Sequence, residues 1–309
     1  MNMRILVTGG TGFIGTNLCK ELLLQNNEVI CLDNLSCSSI NNINDLIDHK
    51  NFTFIKHNIQ EYINIDGNID QIYHLACPAS PKNYQLYPIK TIKTCINGTF
   101  NVLKLAKQKN ASVLLSSTSE IYGDPTISPQ VEEYWGNVNT IGIRSCYDES
   151  KRIAETIMIE YNRKYNIDIK IARIFNTYGP FLAKDDGRVV SNFILQALRN
   201  EDITIYGDGK QTRSFCFIED QVNGLIKLMN SKYNLPINIG NPYEITILQL
   251  AETILKLTNS NSKIIFKDLP SDDPKQRKPD ITKAKTILNW NPKISLEDGL
   301  RSTIEYFSL

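Results

Sequence analysis

No apolar run in this chain approaches the roughly 18 residues that a membrane-spanning helix needs. The start does not read as a signal peptide either, because Arg4–Thr8 already has the pattern of a strand. Histidine is scarce, and His49, His57 and His74 show no metal-ligand spacing, so no metal centre is expected. The seven cysteines are an odd number without a Cys-x-x-Cys pair, which points to reduced thiols and a cytoplasmic setting. A Gly-x-Ser-x-Gly elbow is missing, which argues against a serine hydrolase. No excess of charge exists: 34 basic residues face 33 acidic ones, giving +1, which argues against a nucleic-acid binder held by bulk charge. Internal repeats and low-complexity linkers are lacking too.

What is present is a chain of 309 residues, long enough for a large core and two domains. It is organised around Tyr147-Asp148-Glu149-Ser150-Lys151. Tyr147 and Lys151 stand four apart, and the run after them has helical apolar spacing, so both side chains share one helix face. An ordinary phenol titrates near pH ~10, and a nearby ammonium lowers that value. Alone, such a pair usually means a packed ring and a solvated amine.

Two further stretches change that reading. The first begins with a strand, Arg4–Thr8, which runs into Gly9-Gly10-Thr11-Gly12-Phe13-Ile14-Gly15. Helix Phe13–Gln25 and strand Glu28–Asp33 follow. In such a unit the glycines let backbone N–H groups approach a pyrophosphate, and the terminal acid, Asp33, accepts from a ribose 2′-OH. A carboxylate there repels a 2′-phosphate, so the spacing predicts NAD rather than NADP. The second stretch is Ser117-Thr118-Ser119-Glu120, a Ser/Thr-rich turn just past the end of a strand at 112–116.

Strands at 52–57, 71–75, 112–116 and 169–174 alternate with helical patterns, including one at 91–108. The pattern predicts an α/β fold: a Rossmann-type, doubly wound parallel sheet, with a smaller mixed α/β substrate-binding domain. The expected boundary divides a domain 1–175, rejoined by parts of 203–235, from a domain 176–309. Ligands in such sheets bind beyond the carboxyl ends of the strands, where Ala76-Cys77-Pro78-Ala79, Ser117–Glu120 and Asn176-Thr177-Tyr178 fall. Later come a turn at Asp185-Asp186-Gly187, helices at 190–200, 220–229, 246–257, 281–288 and 295–307, a short strand at 203–206, and another read at 214–217. The charged segment Asp272–Asp280 reads either as a solvated loop or as a carrier that brings Arg277 to a phosphate or carboxylate.

Together the motifs resemble the extended short-chain dehydrogenase/reductase family, over essentially the whole chain. The resemblance rests on Gly9, Gly12 and Gly15, on the Tyr147–Lys151 helix and on the upstream Thr118. Within the family the chain is similar to the UDP-glucuronate decarboxylases, in Tyr73–Pro81, Ser116–Pro125, Cys146–Arg152, Asp186–Phe193 and Gln276–Asp280. The resemblance implies a role for each site residue. Tyr147 takes the proton of the sugar 4-OH, Lys151 lowers its pKa and holds the nicotinamide ribose, and Thr118 hydrogen-bonds the same hydroxyl. Ser119 and Glu120 sit near C5 and the sugar carboxylate. Tyr84 and Arg277 help bind glucuronate or pyrophosphate, while Asn176, Arg188, Asn192, Tyr206, Gln211 and Arg213 hold the UDP-sugar. NAD is held by Gly9, Gly12, Phe13, Ile14, Gly15, Asp33, Asn34, Ile59, Leu75, Ala76, Thr94, Tyr147 and Lys151. Where the family usually has an acid near the adenine, this chain has Asn58, whose amide oxygen is expected to accept instead.

The resemblance also implies a soluble homodimer built on a four-helix bundle, with Ile153, Ile157 and Tyr161 on one apolar stripe and Met158 beside it. Relatives that remove water from C6 carry Asp at position 119; a neutral serine there favours a substrate with a carboxylate. A dehydratase or 4-epimerase, an enzyme that releases the 4-keto pentose, and a non-catalytic NAD-binding regulator are the alternatives.

Overall fold

A computed structural model describes residues 2–184, 186–268 and 276–309. Asp185 of the expected turn and Asp272–Lys275 of the charged segment lie outside the described residues. In chain order the first half holds β1 (Arg4–Thr8), α1 (Phe13–Leu24), β2 (Glu28–Asp33), the single turn α2 (Asn44–Ile47), β3 (Phe52–Lys56), β4 (Gln71–His74), α3 (Pro81–Leu86), α4 (Pro88–Lys109), β5 (Ser112–Thr118), α5 (Ser145–Tyr165) and β6 (Ile169–Ile174). The second half holds β7 (Thr177–Tyr178), α6 (Val189–Leu198), β8 (Ile203–Tyr206), β9 (Thr212–Ser214), β10 (Cys216–Phe217), α7 (Ile218–Met229), β11 (Pro236–Ile239), β12 (Glu244–Thr246), α8 (Ile247–Thr258), β13 (Ile264–Lys267), β14 (Gln276–Arg277), α9 (Thr282–Leu288) and α10 (Leu296–Ser308).

Seven strands form one parallel sheet in the order β11-β6-β5-β4-β1-β2-β3. The inner strands are mostly apolar and buried, as expected of a parallel sheet with helices on its faces, while β3 at the edge is partly exposed. Ile5 and Val7 pack into one core cluster and Leu6 into the other, as the two-residue period of a strand requires. The strand order reverses between β1 and β4, and the crevice beyond their carboxyl ends is where ligands bind in such sheets. The chain leaves this sheet after β6 and returns with α7 and β11, which pairs with β6 from Pro236↔Ile171 to Ile239↔Ile174. The remaining strands make small sheets of two or three.

Two details differ from the sequence reading. The strand expected at 214–217 is broken at Phe215. Before it, β9 pairs with β12 and β14; after it, β10 pairs with β7. The helix expected from Thr91 starts at Pro88, a residue whose missing N–H costs nothing in a first helical turn.

Candidate active site

The glycine turn is forced by contacts. Gly9 has φ +72°, and a Cβ there would lie 2.8 Å from the backbone of Ala76. A Cβ on Gly15 would lie 2.2 Å from the carbonyl oxygen of Gly9. Gly12 caps α1 without any side-chain acceptor, so the first-turn N–H groups stay open toward the cavity. At the end of β2, Asp33 Oδ1 accepts from the Leu35 N–H at 2.8 Å, and its Oδ2 accepts from the Thr11 N–H at 3.3 Å. A cradle closed to any Cβ, an uncapped helix start and a carboxylate fixed at the end of β2 fit NAD.

These residues line one cavity of about 1100 Å³, which also takes in the second half of the chain. Single-ligand sites usually span about 300–1,000 Å³, so this one is ample for a dinucleotide with a sugar nucleotide beside it. Gly9, Gly12, Phe13, Ile14, Gly15, Asp33, Asn34, Ile59, Leu75, Ala76 and Thr94 reach it, as do Thr118, Ser119, Glu120, Tyr147 and Lys151. So do Tyr84, Asn176, Arg188, Asn192, Tyr206, Gln211, Arg213 and Arg277. Asn58 does not. Its amide oxygen accepts from the Gln60 N–H at 3.2 Å, a local turn that competes with the expected adenine contact.

At the centre, α5 presents Tyr147 and Lys151 to the cavity. Lys151 Nζ donates to the Ser116 carbonyl at 2.7 Å and lies 5.8 Å from the Tyr147 ring centre. Tyr84 stacks on Tyr147, with centroids 5.0 Å apart and planes 8° apart. The expectation that lysine lowers the phenol's pKa is not met in the protein alone. Burial first, and then the neighbouring Cys77, push the Tyr147 phenol up, while a hydrogen bond with Thr118 pulls it only partly back. A buried phenol loses more from desolvation than an ammonium beyond hydrogen-bond reach returns.

Another part of the cavity wall is built from charges. Arg144 Nη2 donates to Glu120 Oε2. Arg277 reaches the same carboxylate through Nε at 3.4 Å and Nη2 at 3.2 Å. Burial pushes Glu120 up, yet Arg277 and Arg144 outweigh it and hold the carboxyl at about 2. Arg277 is 2% exposed, and its Nη1 has no protein partner. The described part of the charged segment is therefore not a solvated loop. The neighbours of Arg277 anchor it: Gln276 Nε2 donates to Glu244 at 2.9 Å, and Lys278 Nζ pairs with Glu244 at 3.0 Å.

Arg144 and Asp148 escaped the sequence reading. Arg144 carries a usable signal, a cation three residues before Tyr147 at the start of the same helix. Asp148 carries none, since an acid in a first turn is ordinary. Burial first, and then the Glu120 charge, push Asp148 up to about 7. Between the unfolded carboxyl range and that value the folded state holds the extra proton, so stability falls as pH rises through the window. Asp148→Asn should remove a penalty of the order of a few kcal/mol above neutrality. Calorimetry should give a larger gain in Tm at pH ~8 than at pH ~5; equal gains at both would remove the assignment.

Residues 5–240 match the model of the NAD dependent epimerase/dehydratase family. UDP-glucuronic acid decarboxylase 5 of Arabidopsis thaliana is 55% identical over 309 residues, covering 100% of this chain and 90% of that protein. UDP-glucuronic acid decarboxylase 1 of Xenopus tropicalis is 52% identical over 304 residues, covering 98% of this chain and 72% of that protein. Among solved structures, a UDP-glucuronic acid 4-epimerase from Bacillus cereus in complex with UDP-glucuronic acid and NAD superimposes with a TM-score of 0.89. It is 30% identical, and the match covers 99% of both chains. The glycine cradle, the Tyr–Lys helix and the match over most of the sequence agree, and the chain belongs to the NAD dependent epimerase/dehydratase family.

Proposed function

We propose that this protein decarboxylates UDP-glucuronate to UDP-xylose, with NAD as its resident cofactor. The observation that carries the reading is the agreement of the whole chain with decarboxylases at 52–55% identity. Ser119 and Arg277 add to it, because both line the cavity: the former is neutral and the latter keeps a buried, unpartnered N–H for an incoming carboxylate. Bound NAD supplies a place to store the C4 hydride and return it. Tyr147 takes the 4-OH proton, with Thr118 bonded to both phenol and substrate hydroxyl. Lys151 fixes the ribose beside it. With C4 a ketone, the C5 carboxylate becomes that of a β-keto acid, and loss of carbon dioxide leaves the charge delocalised as an enolate. Glu120, held ionised between Arg144 and Arg277, acts by fixing those guanidinium groups on the sugar carboxylate. C5 then gains a proton and the C4 hydroxyl is restored. The test is incubation with UDP-glucuronate and NAD, with the product identified by mass and NMR. Absence of released carbon dioxide would sink the reading, and release of a 4-keto pentose would remove its last step.

Asp33 should make NAD bind more tightly than NADP. Titration of both into the cofactor-free protein checks this, and equal affinities would overturn it. We place residues 1–175 in the cofactor domain, with α7 and β11 as its returning piece, and assign the rest to the nucleotide-sugar domain.

Among the described residues no helix is long and apolar enough to cross a membrane. The finer proposal is a cytoplasmic homodimer through α4 and α5. Ile157 and Met158 belong to the chain's own core, which narrows the expected stripe. Ile153 remains on the outside, together with Phe100, 6.1 Å from the Tyr161 ring, and Tyr165, 5.2 Å from it. Light scattering at micromolar concentration should give a dimer, and Ile153→Glu should weaken it. A monomeric wild type would rule the bundle out.

A further inference from the structure

Arg277 ends β14, and the peptide group that joins it to Lys278 is gripped from both sides by side chains. Ser214 Oγ, from β9, donates to the Arg277 carbonyl at 3.1 Å. Gln130 Oε1 accepts from the Lys278 N–H at 2.9 Å. Both side chains are buried, Ser214 at 1% exposure and Gln130 at 0%, and neither lines the cavity. We propose that Gln130 and Ser214 are positioning residues for substrate specificity: their clamp on the Arg277–Lys278 peptide aims the Arg277 guanidinium at the carboxylate of the incoming sugar.

The clamp joins distant parts of the chain. Gln130 lies between β5 and α5, where it meets the segment after β14 in an isolated bridge to Pro279. Its own N–H donates to the Lys278 carbonyl at 2.8 Å, and its carbonyl accepts from the Asp280 N–H at 2.8 Å. Pro279, between them, has no N–H to give. Asn238, on β11, ties the same place to the main sheet: its Nδ2 donates to the Gln130 carbonyl at 2.9 Å and to the Asp280 carbonyl at 3.0 Å. The Gln130 amide is used at both ends, since its Nε2 donates to the Ile127 carbonyl at 2.7 Å. The bonds to the Gln130 main chain dock the segment without help from the Gln130 side chain. What that side chain adds is a hold on the peptide plane that sets the ψ angle of Arg277, and Ser214 holds the same plane from its other edge.

That plane matters because an arginine side chain is rich in rotamers, and its ion pair fixes only part of it. Arg277 Nε at 3.4 Å and Nη2 at 3.2 Å lean on Glu120, while Nη1 is buried without a partner among the described residues. An incoming carboxylate competes with Glu120 for the same cation. With the main chain free to turn, the guanidinium would follow whichever anion pulls harder. With the peptide clamped, Nη1 keeps its direction before and after the sugar arrives. Ordering a donor ahead of its ligand removes a cost of binding, and it favours the ligand that can use that donor.

The specificity effect rests on the decarboxylase reading, in which Arg277 meets a carboxylate; the clamp itself does not, and the test separates the two. Gln130→Met keeps the length of the side chain and every main-chain bond of the bridge, and Ser214→Ala removes one hydroxyl. Each is made in the NAD-loaded Tyr147→Phe protein, whose turnover should be slow, and the affinities of UDP-glucuronate and UDP-glucose are read by calorimetry. The parent should prefer UDP-glucuronate by about tenfold to hundredfold. Gln130→Met should lose about tenfold of that preference, through weaker UDP-glucuronate binding alone, and Ser214→Ala about threefold. UDP-glucose and NAD affinities should hold, which a general loosening of the fold would not allow. Added to Arg277→Met, neither change should lower the preference further, because changes that act through one group do not add. Hydrogen exchange at the Lys278 amide should quicken in Gln130→Met. A lower melting temperature with the preference intact, an equal loss for both sugars, or the same loss in the Arg277→Met background would each overturn the proposal. Should Gln130→Met not fold, Ser214→Ala decides by the same affinities. Should the parent show no preference, the carboxylate reading of Arg277 fails, and the Lys278 amide decides the clamp: faster exchange keeps it, and unchanged exchange removes it.

Discussion

Tyr147→Phe should lower carbon dioxide release by about 10²–10⁴-fold, the usual contribution of a positioned acid–base group. Its NAD affinity and melting temperature should hold. The ring stays, so the stack on Tyr84 at 5.0 Å is kept. Only the hydroxyl goes. Thr118 is not orphaned, because its Oγ1 still accepts from the Glu120 N–H at 3.2 Å. Steady-state rates, an NAD titration and a melt on the same preparation make the comparison. A variant retaining more than about a tenth of the wild-type rate, against the loss expected of a general base, would show that the base is another group. The raised phenol has a second consequence. On the proposed reading the base would draw on positive charge that arrives with the cofactor, so the free protein should show no tyrosinate absorbance near neutral pH.

The other large effect concerns the sugar carboxylate. Wild-type enzyme should consume UDP-glucuronate about tenfold to hundredfold faster than UDP-glucose, since a lost charge-assisted contact costs about 1.5–3 kcal/mol and each 1.4 kcal/mol is a factor of ten. Arg277→Met should erase most of that gap. It should also destabilise the fold, because Glu120 keeps only Arg144 as counter-charge, and a buried acid with too little compensation is costly. Ser119→Asp should cut glucuronate turnover while leaving the Glu120 cluster intact, which separates the electrostatic effect from the structural one. Competition between the two substrates, with each product resolved by chromatography, checks all three proteins. Equal consumption by wild type would replace the decarboxylase reading with a dehydratase or epimerase.

Much of this site was legible because local chemistry dictated it. Gly9, Gly12 and Gly15 sit where backbone crowding tolerates no Cβ or an N-terminus must stay open, so the motif and the geometry are one fact. The helical spacing after Tyr147 likewise fixed which face Lys151 shares. What stayed hidden depends on contacts between distant parts of the chain. Arg277 and Glu120 were each named from the sequence, but nothing in it announces that they pair across 157 positions. Asn58 looked available until its amide oxygen turned back to Gln60. Ile157 and Met158 looked like an outer stripe because helical spacing cannot say which of two faces a neighbour covers. Phe215 broke a strand that propensity runs through, since the chain passes there from one small sheet to another.

The late return of β11 to the main sheet has a consequence for how the molecule can be made and altered. Pro236–Ile239 supplies the outermost strand beside β6, so an emerging chain keeps the β6 edge bare until more than sixty further residues have been synthesised. A bare edge of parallel strand is a template for pairing with other chains. The two halves are therefore not cassettes. A cut at the apparent boundary parts strands of one hydrogen-bonded sheet, and transplanting the second half into a relative requires leaving α7 and β11 with the sheet they complete.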